Sequence, residues 1–122
     1  MRIAVFGSKD WESYPDVMRS LTVVIQDAHD KGDNEVVFVQ AGNRGAENMV
    51  TEYVGKTEKF LRQKSFRLKE EVVRGRDHSF AKDMGIIESS PDMALVFSTD
   101  CKRTKACARI LKEYEIPTTI IR

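Results

Sequence analysis

Short apolar runs alternate strictly with longer stretches of helical periodicity, and this alternation constrains the fold more than any other feature of the chain. Residues 2–6, 35–40, 66–73, 93–97 and 117–121 are brief and rich in Val, Ile and Phe, and are bounded by turn residues, which predicts strands. The spacing predicts helices over 14–31, 45–64, 77–89 and 102–114. In the first, Val17, Leu21, Val24 and Ala28 form one stripe with Met18 and Ile25 beside it; in the second, Ala46, Val50, Tyr53, Val54, Phe60 and Leu61 share a face. In the last, Cys107, Ile110, Leu111 and Tyr114 point inward.

Strands separated by helices call for crossover connections, and so for a parallel sheet covered on both faces. The expected fold is α/β, a Rossmann-like three-layer α/β/α domain with a mainly parallel five-stranded sheet, spanning residues 1–122 as a single domain. Residues 66–73 are polar enough for an edge, and the all-apolar 93–97 belong in the middle.

In such sheets ligands bind beyond the carboxyl ends of the strands, at the point where the strand order reverses. That rule gathers three loops distant in sequence. The first is Gly7-Ser8-Lys9-Asp10-Trp11: a backbone N–H at Gly7, the Ser8 hydroxyl and the Lys9 charge suit a phosphate, and Trp11 offers a stacking surface for a base unless it is tucked onto the core. The second is Ala41-Gly42-Asn43-Arg44-Gly45-Ala46-Glu47. Gly42 and Gly45 admit backbone angles closed to other residues, Asn43 and Arg44 reach outward, and free N–H groups at the following helix start favour an anion. Glu47 serves a ribose hydroxyl or simply the helix dipole. The third is Ser98-Thr99-Asp100-Cys101-Lys102-Arg103-Thr104, where hydroxyls and cations again meet a helix start; Asp100 is an N-cap or, with Glu47, a weak catalytic acid or base. The segment Arg74-Gly75-Arg76-Asp77-His78 also leads from a strand into a helix, so its arginines are placed to overhang the crevice. The dinucleotide fingerprint Gly-x-Gly-x-x-Gly and the P-loop are both absent. No zinc constellation and no Ser-His-Asp order exists, so neither a metal nor a cofactor is expected.

The formal net charge of +1 leaves no global footprint for nucleic acid. Lys102, Arg103, Lys105 and Arg109 nevertheless cluster without an acid among them, as a solvated helix face or as a contact for phosphate or nucleic acid; nucleic acid is not the favoured partner. No apolar run has the length of a membrane span, and no signal-peptide pattern precedes the first strand, so a cytoplasmic, membrane-free protein is expected. Cys101 and Cys107 match no metal spacing and are expected as free thiols.

Two of these loops resemble a known group. Arg2-Ile-Ala-Val-Phe-Gly-Ser-Lys-Asp-Trp11 resembles the strand and Gly-Ser-Arg-Asp-Trp opening of small YspA-like members of the SLOG superfamily, and Ala41-Gly-Asn-Arg-Gly-Ala-Glu47 resembles their Gly-Gly-Ala-Arg-Gly-Ala-Asp. Pro91-Asp-Met-Ala-Leu-Val-Phe97 is similar to their Ala-Asp-Leu-Val-Leu-Ala-Phe strand. The superfamily is Rossmann-like and includes the Lonely Guy phosphoribohydrolases, the DNA-processing protein A and sensors of nucleotide-derived signals. The resemblance implies a nucleotide-derived, ADP-ribose-like ligand at Gly7, Ser8, Gly42, Arg44, Gly45 and Glu47. It also implies a homo-oligomer, and a small divergent copy of the kind found in phage and mobile elements. The chain departs from the group where catalysis resides. The Lonely Guy Pro-Gly-Gly-x-Gly-Thr-x-x-Glu motif is replaced by Phe97-Ser-Thr-Asp-Cys-Lys-Arg-Thr104, the Arg-Asn-x-x-Met pattern by Phe80-Ala-Lys-Asp-Met84, and the first glycine of the Gly-Gly pair by Ala41. Binding is therefore expected in preference to turnover. The alternatives are a hydrolase of an N-glycosidic or phosphate bond, and a protein- or DNA-interaction module with a vestigial pocket.

Overall fold

A computed structural model describes residues 1–73 and 80–122. The elements follow in the order β1 (Arg2–Gly7), α1 (Tyr14–Asp30), β2 (Glu35–Gln40), α2 (Ala46–Gln63), β3 (Arg67–Val72), α3 (Phe80–Glu88), β4 (Met93–Phe97), α4 (Lys102–Glu113) and β5 (Thr118–Ile121). The expected helix start at Asp77, and the segment carrying Arg74, Arg76 and His78, lie outside the described residues. The sheet order is β3-β2-β1-β4-β5 and every pairing is parallel. Ile3 stands level with Phe38 on one side and Met93 on the other. The expected Rossmann-like α/β architecture is the one observed.

Alternation along the strands sends side chains to two separate cores. Ile3, Val5, Val36, Phe38, Leu95 and Phe97 pack under α1 and α2. Ala4, Phe6, Val37, Val39, Ala94 and Val96 pack under the layer of α3 and α4, with Ile86, Ile87, Cys107 and Leu111. Capping marks the start of α1, where the Ser13 hydroxyl accepts from the Asp16 N–H and Pro15 occupies the first turn. Arg67, Lys69 and Glu71 face outward along the edge strand β3, a charged fringe that opposes strand-to-strand association.

Three expected core residues lie outside the core. Met18, one position off its stripe, is 45% exposed. Phe60 is exposed in the closing turns of α2, with the Lys64 ammonium 4.9 Å from its ring centre. Tyr114 is the C-cap residue of α4, past the last turn that reaches the core through Leu111, and is also exposed. Among the described residues, no helix is long and apolar enough to cross a membrane.

Candidate functional site

β1 to β3 step across the sheet in one direction, and β4 and β5 step in the other, so the order reverses between β1 and β4. The three loops singled out above converge at the carboxyl ends of the strands around this point. Ser8 N–H donates to the Phe97 carbonyl at 2.9 Å, prolonging the β1–β4 ladder into the loops. Gly7 is required because α2 begins directly against it: a Cβ there would stand 2.5 Å from the Ala46 Cβ. Gly45 has φ +86° and a Cβ on it would meet the Ser8 carbonyl oxygen at 2.5 Å. Both glycines therefore serve contact of chain on chain. Gly42 (φ +78°) is exposed, and its N–H donates to the Gln40 side-chain oxygen at 2.6 Å.

The crevice above β1 is occupied by an ion network that sequence reasoning did not assemble. Glu47, in the first turn of α2, is 0% exposed. Its carboxylate accepts from Ala41 N–H (3.0 Å), Gly7 N–H (3.2 Å) and Asn43 Nδ2 (3.2 Å), and pairs with Arg103 Nη1 at 3.0 Å. Arg103 reaches in from α4. Its Nε and Nη2 form a two-pronged contact with Asp83 of α3 at 2.8 and 2.9 Å, and its Nη1 also donates to the Gly7 carbonyl at 2.9 Å. Burial works against the guanidinium charge, but the Asp83 hydrogen bonds and the Glu47 and Asp83 charges prevail and hold its proton far above the ordinary arginine range. Cys107 donates to Asp83 from beneath at 3.6 Å; burial, with the Asp83 charge, pushes its thiol up to about 12.

This arrangement changes the standing of two expected site residues. Glu47 is buried, and both of its carboxylate oxygens are engaged by partners within the protein, which ties the start of α2 to β1 and α4. Arg103 spans three elements and is not a side chain free to close over a ligand. Asp83 was not singled out from the sequence at all. A signal exists nonetheless: Glu47, Asp83 and Arg103 each lie in helical phase with the apolar stripe of their own helix (Val50 and Val54, Ile86 and Ile87, Cys107 and Ile110). A charge in phase with a buried face requires a partner.

The hydroxyls expected at the site are also bound within the protein. Ser8 Oγ accepts from the Thr99 N–H (2.9 Å) and donates to Cys101 Sγ (3.2 Å). Ser98 Oγ and Thr104 Oγ1 are 2.8 Å apart, and Thr99 Oγ1 donates to Asp10 at 2.6 Å. Trp11 resolves to the core: its ring meets Phe97 edge-on at 5.5 Å and its Nε1 donates to the Ser13 carbonyl, so it offers no face to a base. Asp100 is not the N-cap of α4; it sits at φ +64°, exposed, and Cys101 occupies the cap position. Burial raises the Cys101 thiol, but hydrogen bonds from the Ser8 and Thr104 hydroxyls and the Thr104 and Arg103 backbone outweigh it, and the net shift is downward.

What remains open at the rim is cationic and polar. Lys9 and Arg44, from two loops, and Lys102, the first residue of α4, are exposed and have no carboxylate partner among the described residues. Exposed Asp10 and Asp100 temper that charge. The start of α2 has glycine as its N-cap and no side-chain cap, in contrast to Ser13 on α1. Beside it lies a cleft of about 430 Å³, between the Ala41–Gly42 turn, Asn48 and Thr51 of α2, Glu70 and Val72 of β3, and Lys82 of α3. Within it Glu70 is held by Thr51 Oγ1 (2.8 Å) and Gln40 Nε2 (3.2 Å). The sequence reading missed this cleft because Thr51, Glu70 and Lys82 look like ordinary surface positions.

The chain matches no family model and no curated protein. Among solved structures it is similar to a protein from the universal stress protein family from Burkholderia pseudomallei, at 10% identity and a TM-score of 0.46, over 98% of this chain and 94% of that one. A likeness at that level carries no argument about function.

Proposed function

We propose that this domain binds a nucleotide-derived ligand without turning it over, with a phosphate at the start of α2 and the remainder of the ligand in the adjoining cleft. The observation that carries the reading is a cleft of about 430 Å³ lined by the Ala41–Gly42 turn and by Asn48 and Thr51 of α2, a helix whose start has no side-chain cap. That volume is within the range of small-molecule sites, roughly 300–1,000 Å³. Uncapped N–H groups and the positive end of the helix dipole favour an anion, and Arg44 and Lys9 add mobile charge. Glu70, oriented by Thr51 and Gln40, presents an acceptor suited to a sugar hydroxyl. The SLOG resemblance of the first two loops supports the same ligand class. Binding is preferred to catalysis because Glu47 is sealed and the group's catalytic motif is missing at residues 97–104.

Thermal unfolding in the presence of ADP-ribose, nucleoside mono-, di- and triphosphates and cyclic nucleotides tests the proposal. A ligand at ten times its Kd adds about 1.4 kcal/mol, or roughly 5 °C in Tm for a domain of this size. Arg44→Ala is expected to shrink that shift while leaving the unliganded Tm in place. No shift with any of these compounds overturns the reading. The homo-oligomer implied by the resemblance is checked by light scattering, where a monomer mass at micromolar concentration refutes it.

A further inference from the structure

The structure separates the basic cluster of α4 into one residue that folds the protein and others that do not. Arg103 points inward to Glu47 and Asp83. At 100° per residue, Lys102, Lys105, Arg109 and Lys112 fall within one narrow arc opposite the buried Thr104, Cys107 and Leu111. All four are exposed, and none has an ion-pair partner among the described residues. On the other face of the sheet Lys56 pairs with Glu52, Arg62 with Glu58 and Arg19 with Asp16, while Lys31 and Lys59 have no ion-pair partner among the described residues. The first turns of α1, α2 and α3 carry acids, whereas that of α4 carries none and opens with Lys102, against the helix dipole. Lys112, in the last turn, serves the helix dipole, whereas Lys102, Lys105 and Arg109 form no ion pair within the described residues, which leaves their charges to act outward.

We propose that the outer face of α4 is a docking strip for the phosphodiester backbone of a nucleic acid, read without sequence preference. The strip runs about 15 Å, the axial span of four to five phosphates of one strand at ~3.4 Å each. A protein partner fits poorly, since lysines are depleted at protein interfaces and no large apolar side chain lies among the four to form an interface centre. A membrane surface fits poorly as well, because a surface helix inserts its apolar face and that of α4 is packed against the sheet. Backbone recognition needs only spaced cations, and the strip supplies those. The inference does not rest on the ligand cleft, which lies toward the opposite edge of the sheet.

Fluorescence anisotropy with a labelled 20-nucleotide oligo-dT, titrated between 20 and 200 mM NaCl, tests it. Four phosphate contacts predict a slope of log K on log[salt] of about −3, and Lys105→Gln with Arg109→Gln should halve it. Lys105→Glu with Arg109→Glu should weaken binding at 20 mM NaCl at least tenfold. Lys31→Glu with Lys59→Glu, the same change of net charge on the other layer, should leave it within about twofold. Circular dichroism melts of each variant establish that it is folded. Absence of binding at 20 mM NaCl overturns the proposal, as does equal loss in both double-glutamate variants. Competition by polyglutamate as effective as that of oligo-dT at equal charge would show an acidic-protein surface and overturn the nucleic-acid assignment.

Discussion

Replacing Arg103 with alanine interrogates the network at the sheet mouth directly. The substitution removes two hydrogen bonds to Asp83, one to the Gly7 carbonyl and the ion pair with Glu47. It leaves two carboxylates whose side chains are 0% and 3% exposed with no counter-charge. Removing one partner of a buried ion pair costs about 3–5 kcal/mol. Arg103 itself is 24% exposed, so water can enter the vacated space, and the middle of that range is expected. With a urea m-value of about 1.5 kcal/mol/M the midpoint should fall by roughly 2–3 M. Arg103→Lys keeps the charge but cannot hold Asp83 with two prongs while also reaching Gly7 and Glu47, and should lose about half as much. Because the pair is buried, raising NaCl from 0.1 to 0.5 M should leave the difference between wild type and variant nearly unchanged. A loss below 1 kcal/mol at pH 7, or a difference that salt abolishes, would refute a closed network and free Arg103 to serve a ligand.

Other outcomes follow from the same geometry. Gly7→Ala drives a methyl group into Ala46 and should cost about 1–3 kcal/mol in urea unfolding, whereas Gly32→Ala, with open space around a φ of +92°, should cost only about 1 kcal/mol of backbone strain; equal losses would contradict the close approach of α2 to β1. One thiol per folded chain should react with iodoacetamide, at Cys101, with a midpoint below that of the same thiol in the unfolded chain, and Ser8→Ala should raise that midpoint. Cys107 ionises near 9.0 when unfolded and at about 12 when folded, so the unfolded state loses its proton first. Its contribution is complete below pH 9 and is lost as pH rises toward 12; Cys107→Ala should flatten that part of the stability profile, and an unchanged alkaline slope would count against the buried thiol.

The layering of this domain was legible because it depends on periodicity, which is local. The short apolar runs and helical stretches predicted all nine elements, and the polarity of residues 66–73 placed β3 at an edge. Helix ends were less legible. Phe60 and Tyr114 match the apolar period but stand where no sheet lies beneath them, and period says nothing about how far a neighbour extends. Asp100 has the chemistry of an N-cap, yet a left-handed backbone moves the cap to Cys101.

The site shows the same division more sharply. Sequence alone placed residues 7–11, 41–47 and 98–104 at one end of a parallel sheet, because all strands of such a sheet point their carboxyl ends the same way. Charges at 47, 83 and 103 also lie in phase with the apolar stripes of their helices, a signal whose meaning shows only once the helices are packed. Only the tertiary structure decided which charge meets which, since Glu47, Asp83 and Arg103 come from three helices and their contact depends on where those helices start above the strands. The same holds for Gly7 and Gly45. A glycine that admits a ligand and one that admits another stretch of chain are identical in sequence, and the Cβ of Ala46 and the Ser8 carbonyl, standing where a side chain would go, show these two to be the second kind.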